Sequence, residues 1–313
     1  MNKLKVLVTG SNGFLGSHIV YHLSLRGHHV FASHRASSNL WRLNHMQSNI
    51  ELVEMDLLDA QSIRNAFETN QPDAVIHCAA YGVKYEEQDQ SKAFTTNVEG
   101  TSNLICAAKK VDISRFIHIG SCFEYGDKSH PIHEDEVVEP TNIYGVSKAS
   151  ATLLALALSR QKKFSLVVLR PFGLWGPLEE TYRLVPQVVS HCLAKKPLKL
   201  TGCKQIRDYT FVEDTASMLI DLLELSEFPS HEVFNLSSGI QLTLKEFVLS
   251  IASLFNQNNL MLFDELPYRP TEMWQLVANI DKWRKYVGEI KQTSISQGVQ
   301  KMLQYEDVKK EAD

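Results

Sequence analysis

Three features of this 313-residue chain predict a doubly wound parallel α/β sheet carrying a smaller C-terminal lobe. Short apolar runs recur with helix-length segments between them. A glycine-rich turn, Gly10-Ser11-Asn12-Gly13-Phe14-Leu15-Gly16, joins the first run to a helical pattern. A tyrosine and a lysine four residues apart, Tyr144 and Lys148, open a later helix, downstream of an apolar run that ends beside Ser121. Strand–helix alternation is the pattern of a parallel sheet covered on both faces, and such sheets bind ligands at the carboxyl ends of their strands.

Each element has its own signal. Lys5-Val6-Leu7-Val8 is an apolar run of the buried-strand type, and beyond Gly16 the residues Ile19, Val20, Leu23 and Leu25 keep helical spacing up to Gly27. A strand, a tight turn and a helix N-terminus together aim backbone N–H groups at a pyrophosphate. Gly10 allows the turn, Gly13 lets the backbone approach phosphate, and Gly16 lets the helix pack on the sheet. Residues 30–32, 50–53, 74–77, 116–119 and 166–169 read as further buried strands, with helices around 60–69, 91–110 and 143–160. Residues 1–172, joined by roughly 208–240, are expected to form the cofactor domain; 173–207 and 241–313 form the substrate lobe.

Composition narrows the function. The net charge is −4 and no basic stripe is present, which argues against nucleic acid as a partner. No apolar run approaches the length of a membrane span, and Met1-Asn2-Lys3 leads directly into a strand rather than a signal peptide. The five cysteines are scattered without a C-x-x-C pair, as in a reduced, cytoplasmic setting. His77, His118 and His133 are too dispersed to form a metal set, so no metal site is expected.

Tyr144 and Lys148 share one helix face at this spacing. A phenol titrates near pH ~10, too high for proton transfer at neutral pH. A neighbouring ammonium, assisted by the positive nicotinamide of an oxidised cofactor, stabilises phenolate and brings that value down. Ser121 would add a hydrogen bond to the reacting oxygen.

With these residues in hand, the chain resembles the extended short-chain dehydrogenases/reductases, the group of nucleotide-sugar epimerases, dehydratases and reductases, from Val6 to about Gly288. The resemblance implies a Rossmann cofactor domain and a catalytic set of Ser121, Tyr144 and Lys148. It implies that Asp56-Leu57 contacts adenine, that Ala79 and Ala80 in His77-Cys78-Ala79-Ala80 border the cofactor's ribose and phosphates, and that Asn97 is the asparagine of the central helix. Pro171, within Arg170–Pro177, follows the strand before the substrate lobe and borders the cofactor, and Arg207–Asp214 lies near the substrate. Arg207 and Arg269 are expected on the diphosphate of a nucleotide-sugar substrate, with Arg183 a weaker contact. Phe123 and Trp175 would shape the sugar pocket, and Cys122 borders it as a packed loop thiol. The helices near 91–110 and 143–160 resemble a pair that forms a four-helix dimer interface, so a homodimer is expected.

Departures from the pattern select among reactions. The family's 4,6-dehydratases follow the catalytic hydroxyl with an aspartate and a glutamate; here Cys122 and Phe123 stand there, and Glu124 is one place out of register. The reductases that also epimerise carry a cysteine two places after the serine and a distant histidine; Cys122 is one place after, and Arg183 stands where that histidine would be. Members that prefer NAD hold the ribose 2′-OH with an acid past the second strand, whereas Ala32-Ser33-His34-Arg35-Ala36-Ser37-Ser38 contains none. Arg35 can pair with a 2′-phosphate, assisted by Ser33 or Ser37. The reading is NADP, with NADPH reducing the 4-keto group of a nucleotide-activated 6-deoxysugar. An NAD-retaining 4-epimerase is the alternative within the family. A non-catalytic dinucleotide sensor is the alternative outside enzymes, but it would not need Ser121, Tyr144 and Lys148.

Overall fold

The computed structural model describes residues 3–44, 50–84, 86–111, 113–162, 164–270 and 272–312. Seven parallel strands form one sheet: β1 (Lys5–Thr9), β2 (His29–His34), β3 (Ile50–Glu54), β4 (Ala74–His77), β5 (Arg115–Ile119), β6 (Leu166–Pro171) and β7 (Glu232–Leu236), in the order β7-β6-β5-β4-β1-β2-β3. The helices are α1 (Phe14–Leu25), α2 (Ala60–Asn70), α3 (Gln90–Phe94), α4 (Gly100–Ala108), α5 (Ile143–Lys162), α6 (Leu184–Ala194), α7 (Val212–Leu223), α8 (Leu244–Ser253), α9 (Asp281–Tyr286) and α10 (Ile295–Ala312).

Alternation along each strand divides the core in two. Val6, Val8, Ile76, Ile117, Val167 and Leu169 pack with Ile19 and Leu23 of α1, Leu219 and Leu223 of α7, and Trp283 of α9. Leu7, Val75, Phe116 and Val168 face the other way, onto Phe67 of α2, Leu104 and Ile105 of α4, and Ala155 of α5. A third core joins Trp175 and Phe211 to Val188 of α6, Phe247 and Ile251 of α8 and Val299 of α10. It gives the C-terminal lobe its own interior.

Two expectations change, and one strand is added. The strand at 50–53 forms, but as the sheet edge: Glu51, Leu52 and Glu54 are exposed because β3 has one neighbour and incomplete cover. The helix expected over 91–110 is α3, a π-helical turn over Thr95–Glu99, and α4. β7 had no sequence signal of its own, since Glu232 and Asn235 interrupt its short apolar stretch.

The site follows from strand order. The chain leaves β1 toward β2 and β3, then returns to β4 on the other side of β1. The loops after β1 and β4 therefore part at the switch point, where doubly wound sheets open a crevice.

Candidate active site

The loop after β1 is built for close approach. Gly10 has φ +65°, and a Cβ there would lie 2.6 Å from the Ala79 nitrogen of the loop after β4. A Cβ on Gly16 would collide with the Gly10 carbonyl. α1 starts after Gly13 with no side-chain cap and no acidic residue in its first turn, which leaves its leading N–H groups for an anion. Phe14 and Leu15 supply two of them. The cradle thus fits the pyrophosphate of a dinucleotide. Ser11 donates to the Ser33 carbonyl at 2.7 Å and Asn12 to the Asn39 carbonyl at 3.1 Å, which draws the end of β2 onto the cradle. Ser33 is buried and Arg35 is exposed just beyond.

Asp56 is exposed and its carboxylate accepts the Leu58 N–H at 2.9 Å, while Leu57 is buried. Ala79 and Ala80 lie half-buried in the loop after β4, with the Ala79 N–H on Thr9 Oγ1 at 3.3 Å. Asn97, in the π-helical turn, accepts from the Tyr81 N–H at 2.8 Å and donates to the Tyr81 carbonyl and to Ser147 Oγ, at 2.9 and 2.8 Å. With its oxygen and amide so engaged, Asn97 holds that loop against α5. Pro171 ends β6 half-buried.

The catalytic set converges as expected in position. Tyr144 and Lys148 lie in the first turns of α5, and Ser121 follows β5. The Tyr144 phenol hydrogen-bonds Ser121, and its ring lies edge-on to Phe123 at 5.9 Å. Gly82 passes under the ring, so close that a Cβ would sit 3.2 Å from it. The electrostatics depart from expectation. Burial raises the Tyr144 phenol well above its usual value, with the Ser121 hydrogen bond opposing. The Lys148 ammonium donates instead to the Ile119 carbonyl at 2.5 Å, and burial brings it down to about 8. Tyr144 is therefore held as a protonated phenol, the form that donates a proton.

Glu124 was read only as out of register; the structure gives it a different task. It is fully buried and accepts from the Ser121 N–H at 2.8 Å, the Thr152 hydroxyl at 3.0 Å and Arg170 Nε at 2.8 Å. Arg170 also lies over the Tyr125 ring at 4.3 Å. Its two oxygens so committed, Glu124 anchors Ser121 and α5 and is no proton carrier for a sugar.

On the lobe side, Arg207 donates to Glu272 at 2.9 Å and to the Met273 carbonyl at 2.7 Å, while Arg269 is exposed. Arg183 occupies the N-cap position of α6 without a side-chain cap bond, and its guanidinium reaches the Val83 carbonyl at 3.4 Å. Asp208 is buried and gathers Ser238, Gly239 and Ala278. Cys122 is 3% exposed among Tyr125, Ile132 and Phe172, and burial pushes its thiol up to about 12, so it is a packed group rather than an acid or nucleophile. His77 is buried between Thr9 and Thr101, at 2.7 and 2.9 Å, and is held neutral by burial. Among the described residues no cluster of His, Cys, Asp or Glu could hold a metal, and no helix is long and apolar enough to cross a membrane.

One link had no sequence signal. Arg42, 7% exposed, donates to the Asn12 carbonyl of the cradle at 3.3 Å, to the Leu178 carbonyl at 2.9 Å and to Glu180 at 2.9 Å. With His18 on the Pro177 carbonyl at 2.9 Å, it ties the cradle to the loop that enters the second lobe.

Residues 6–237 match the model of the NAD dependent epimerase/dehydratase family. The chain belongs to that family. A UDP-glucuronate 4-epimerase of Thermodesulfobacterium geofontis is 25% identical over 311 residues, covering 96% of this chain and 95% of that protein. A dTDP-D-glucose 4,6-dehydratase of Dictyostelium discoideum is 27% identical over 259 residues, 76% of this chain but 59% of that protein. The structure of an epimerase from Methanothermobacter thermautotrophicus superposes with a TM-score of 0.88 at 27% identity, covering 99% of this chain and 94% of that one. Family membership makes the chain an NAD(P)-dependent enzyme of the nucleotide-sugar type. The doubly wound fold agrees with the expectation.

Proposed function

We propose that the chain reduces the 4-keto group of a nucleotide-activated 6-deoxysugar with NADPH. The observation that carries this reading is the pairing of one protonated donor, Tyr144, with a glutamate locked out of proton transfer, Glu124. Dehydration needs carboxyl groups working beside the catalytic hydroxyl, and here Cys122 is a buried thiol and Phe123 an aromatic ring. Reduction needs one proton, delivered to the oxygen that becomes an alkoxide.

When bound, the cofactor supplies hydride to the carbonyl carbon. Gly10–Gly16 and the α1 N-terminus hold its pyrophosphate, Ala79 and Ala80 border it, and exposed Arg35 with Ser33 favours a 2′-phosphate over a bare 2′-hydroxyl. Ser121 donates a hydrogen bond to the sugar carbonyl, Tyr144 gives up its proton to that oxygen, and Lys148 steadies the phenolate left behind. Arg207 and Arg269 flank the nucleotide diphosphate, with Arg183 nearer the sugar. A homodimer fits α5, on which Leu153 is 61% exposed with Ala157 beside it on the same face.

A second reading, an NAD-retaining 4-epimerase, is favoured by the nearly full-length match to the UDP-glucuronate enzyme. Titration of cofactor-stripped protein with NADPH and NADH separates the two, followed by NADPH consumption with 4-keto-6-deoxy nucleotide sugars. A preference for NADPH of about tenfold or more (~1.4 kcal/mol) with net consumption supports the reductase. Retained NAD, with sugars interconverted and no net redox, replaces it by the epimerase.

A further inference from the structure

One arginine outside the catalytic set joins the cofactor domain to the second lobe. Arg42 lies beyond β2 in a turn closed by the Leu43 N–H on the Leu40 carbonyl at 2.8 Å, and Leu43 anchors that turn in the core of the sheet. The turn is clamped to the cradle at two points. The Asn12 side chain donates to the Asn39 carbonyl, and the Asn12 carbonyl accepts from Arg42 Nη1. The rest of the same guanidinium faces the second lobe, with Nε on the Leu178 carbonyl and Nη2 on Glu180, each at 2.9 Å. Arg42 is thus committed on both sides at once, buried and lying over the Trp41 ring at 4.3 Å.

Both ends of this bridge lead to functional groups. On the cradle side, the peptide unit whose carbonyl meets Arg42 carries the Gly13 N–H, which closes the turn on the Gly10 carbonyl at 3.0 Å. The leading N–H groups of α1, left without a side-chain cap, follow directly. A pyrophosphate bound there settles on peptide units next to the one that Arg42 holds. On the lobe side, Leu178 takes the left-handed conformation at φ +65°, rare for a residue with a side chain. His18 of α1 holds the Pro177 carbonyl before that turn, and Arg42 holds the chain after it. The Arg183 N–H then bonds the Glu180 carbonyl at 2.9 Å, and α6 begins at the next residue. Arg183 also reaches the Val83 carbonyl, next to the Gly82 backbone that passes under the Tyr144 ring. A guanidinium presents its donors in a fixed plane, so a shift at one edge carries the other with it.

We infer that Arg42 is a positioning residue that relays occupancy of the cofactor cradle to the loop and helix α6 of the second lobe. Only a bound dinucleotide is needed, so the relay operates in a reductase and an epimerase alike. Hydrogen–deuterium exchange of the full chain, without cofactor and with saturating NADPH or NADH, tests it. In wild type the cofactor should slow exchange in the cradle, residues 10–16. It should also slow exchange in residues 178–189 by about fivefold or more, the lower end of ordinary coupling between sites. Arg42→Met and Arg42→Lys should keep the protection of the cradle and lose that of residues 178–189, because lysine retains the charge but not the planar fork. Glu180→Ala cuts the bridge from its far side, where the carboxylate is 37% exposed, and should weaken the protection of the lobe in the same way. It decides the matter should the Arg42 variants fail to fold. Were Arg42 a simple prop, cofactor would leave residues 178–189 unchanged in wild type, and the variants would speed exchange there equally with and without it. That result overturns the inference, as does protection of residues 178–189 that survives both Arg42→Met and Glu180→Ala.

Discussion

Glu124→Gln tests whether the residue beside the catalytic serine is scaffold or chemistry. In the native protein the carboxylate is 0% exposed and all three of its partners donate: the Ser121 N–H, the Thr152 hydroxyl and Arg170 Nε. A carboxamide keeps the shape but offers one acceptor oxygen and one NH2 group. If the NH2 replaces Oε2 it faces Arg170; if it replaces Oε1 it faces the Ser121 N–H. Either way a donor meets a donor, and Arg170, 4% exposed, loses its anionic partner. Breaking a buried ion pair from one side destabilises by roughly 3–5 kcal/mol, a large part of the roughly 5–15 kcal/mol available to a folded domain. Urea unfolding should show that loss as a lower midpoint at unchanged slope. Ser121 should shift with its N–H, and displacement of a catalytic group by about 1 Å can lower turnover by about 10²-fold. The double variant Glu124→Leu with Arg170→Met should regain most of the stability, because removing both charges leaves neither unpaired. A Glu124→Gln protein within about 0.5 kcal/mol of wild type, the range of an ordinary surface change, would refute the anchoring role. If turnover nevertheless collapsed in that stable variant, Glu124 would instead be acting on the substrate.

Other variants probe the remaining parts of the site. Tyr144→Phe should lower kcat/KM for reduction by about 10²–10⁴-fold while cofactor affinity stays within a few-fold; near-normal turnover would end its role as proton donor. Lys148, lowered to about 8, is an ammonium below that pH and a neutral amine above it, so kcat/KM should fall as pH rises through 8. Lys148→Arg keeps its charge to higher pH and should carry that limb with it; a limb that stays in place belongs to another group. Gly16→Ala forces a methyl into the Gly10 carbonyl and should weaken cofactor binding by about tenfold or more (~1.4 kcal/mol), measured by fluorescence titration. Arg35→Asp should invert the cofactor preference toward NADH if Arg35 meets the 2′-phosphate, and should leave both affinities unchanged if it does not.

What could be read from the sequence was what depends on local pattern. β1, the glycine turn and α1 occupy adjacent positions, and each constrains the next, so cradle and helix are legible from residues 5–25 alone. The Tyr144 and Lys148 spacing likewise fixes their common helix face. Their protonation was not legible, because burial acts on both groups and depends on residues far away in the chain. Lys148 turned out to answer to the Ile119 carbonyl and Tyr144 to Ser121, contacts that no four-residue spacing reveals. Asn97 is similar: its position could be read, but its clasp on Tyr81 requires the loop after β4 to be folded beside it. Arg42 carries no signal at all in a charge pattern. Its partners Asn12, Leu178 and Glu180 meet only once the sheet has brought the two loops together.

Glu124 and Glu179 show two ways in which a carboxyl group is buried in this protein. Neither was selected by the sequence pattern. Glu124 meets three donors within 3.0 Å, so both of its oxygens are answered inside the protein. Such a group fixes geometry and has nothing left to offer a ligand. Glu179 has one backbone donor and one oxygen without a partner, and burial raises it to about 8. The difference is one of completion. A protein that can satisfy a buried carboxylate with a serine N–H, a threonine and an arginine 46 residues away has the means to satisfy a second one. Around Glu179 no such set of donors is assembled among the described residues, and burial raises its carboxyl accordingly.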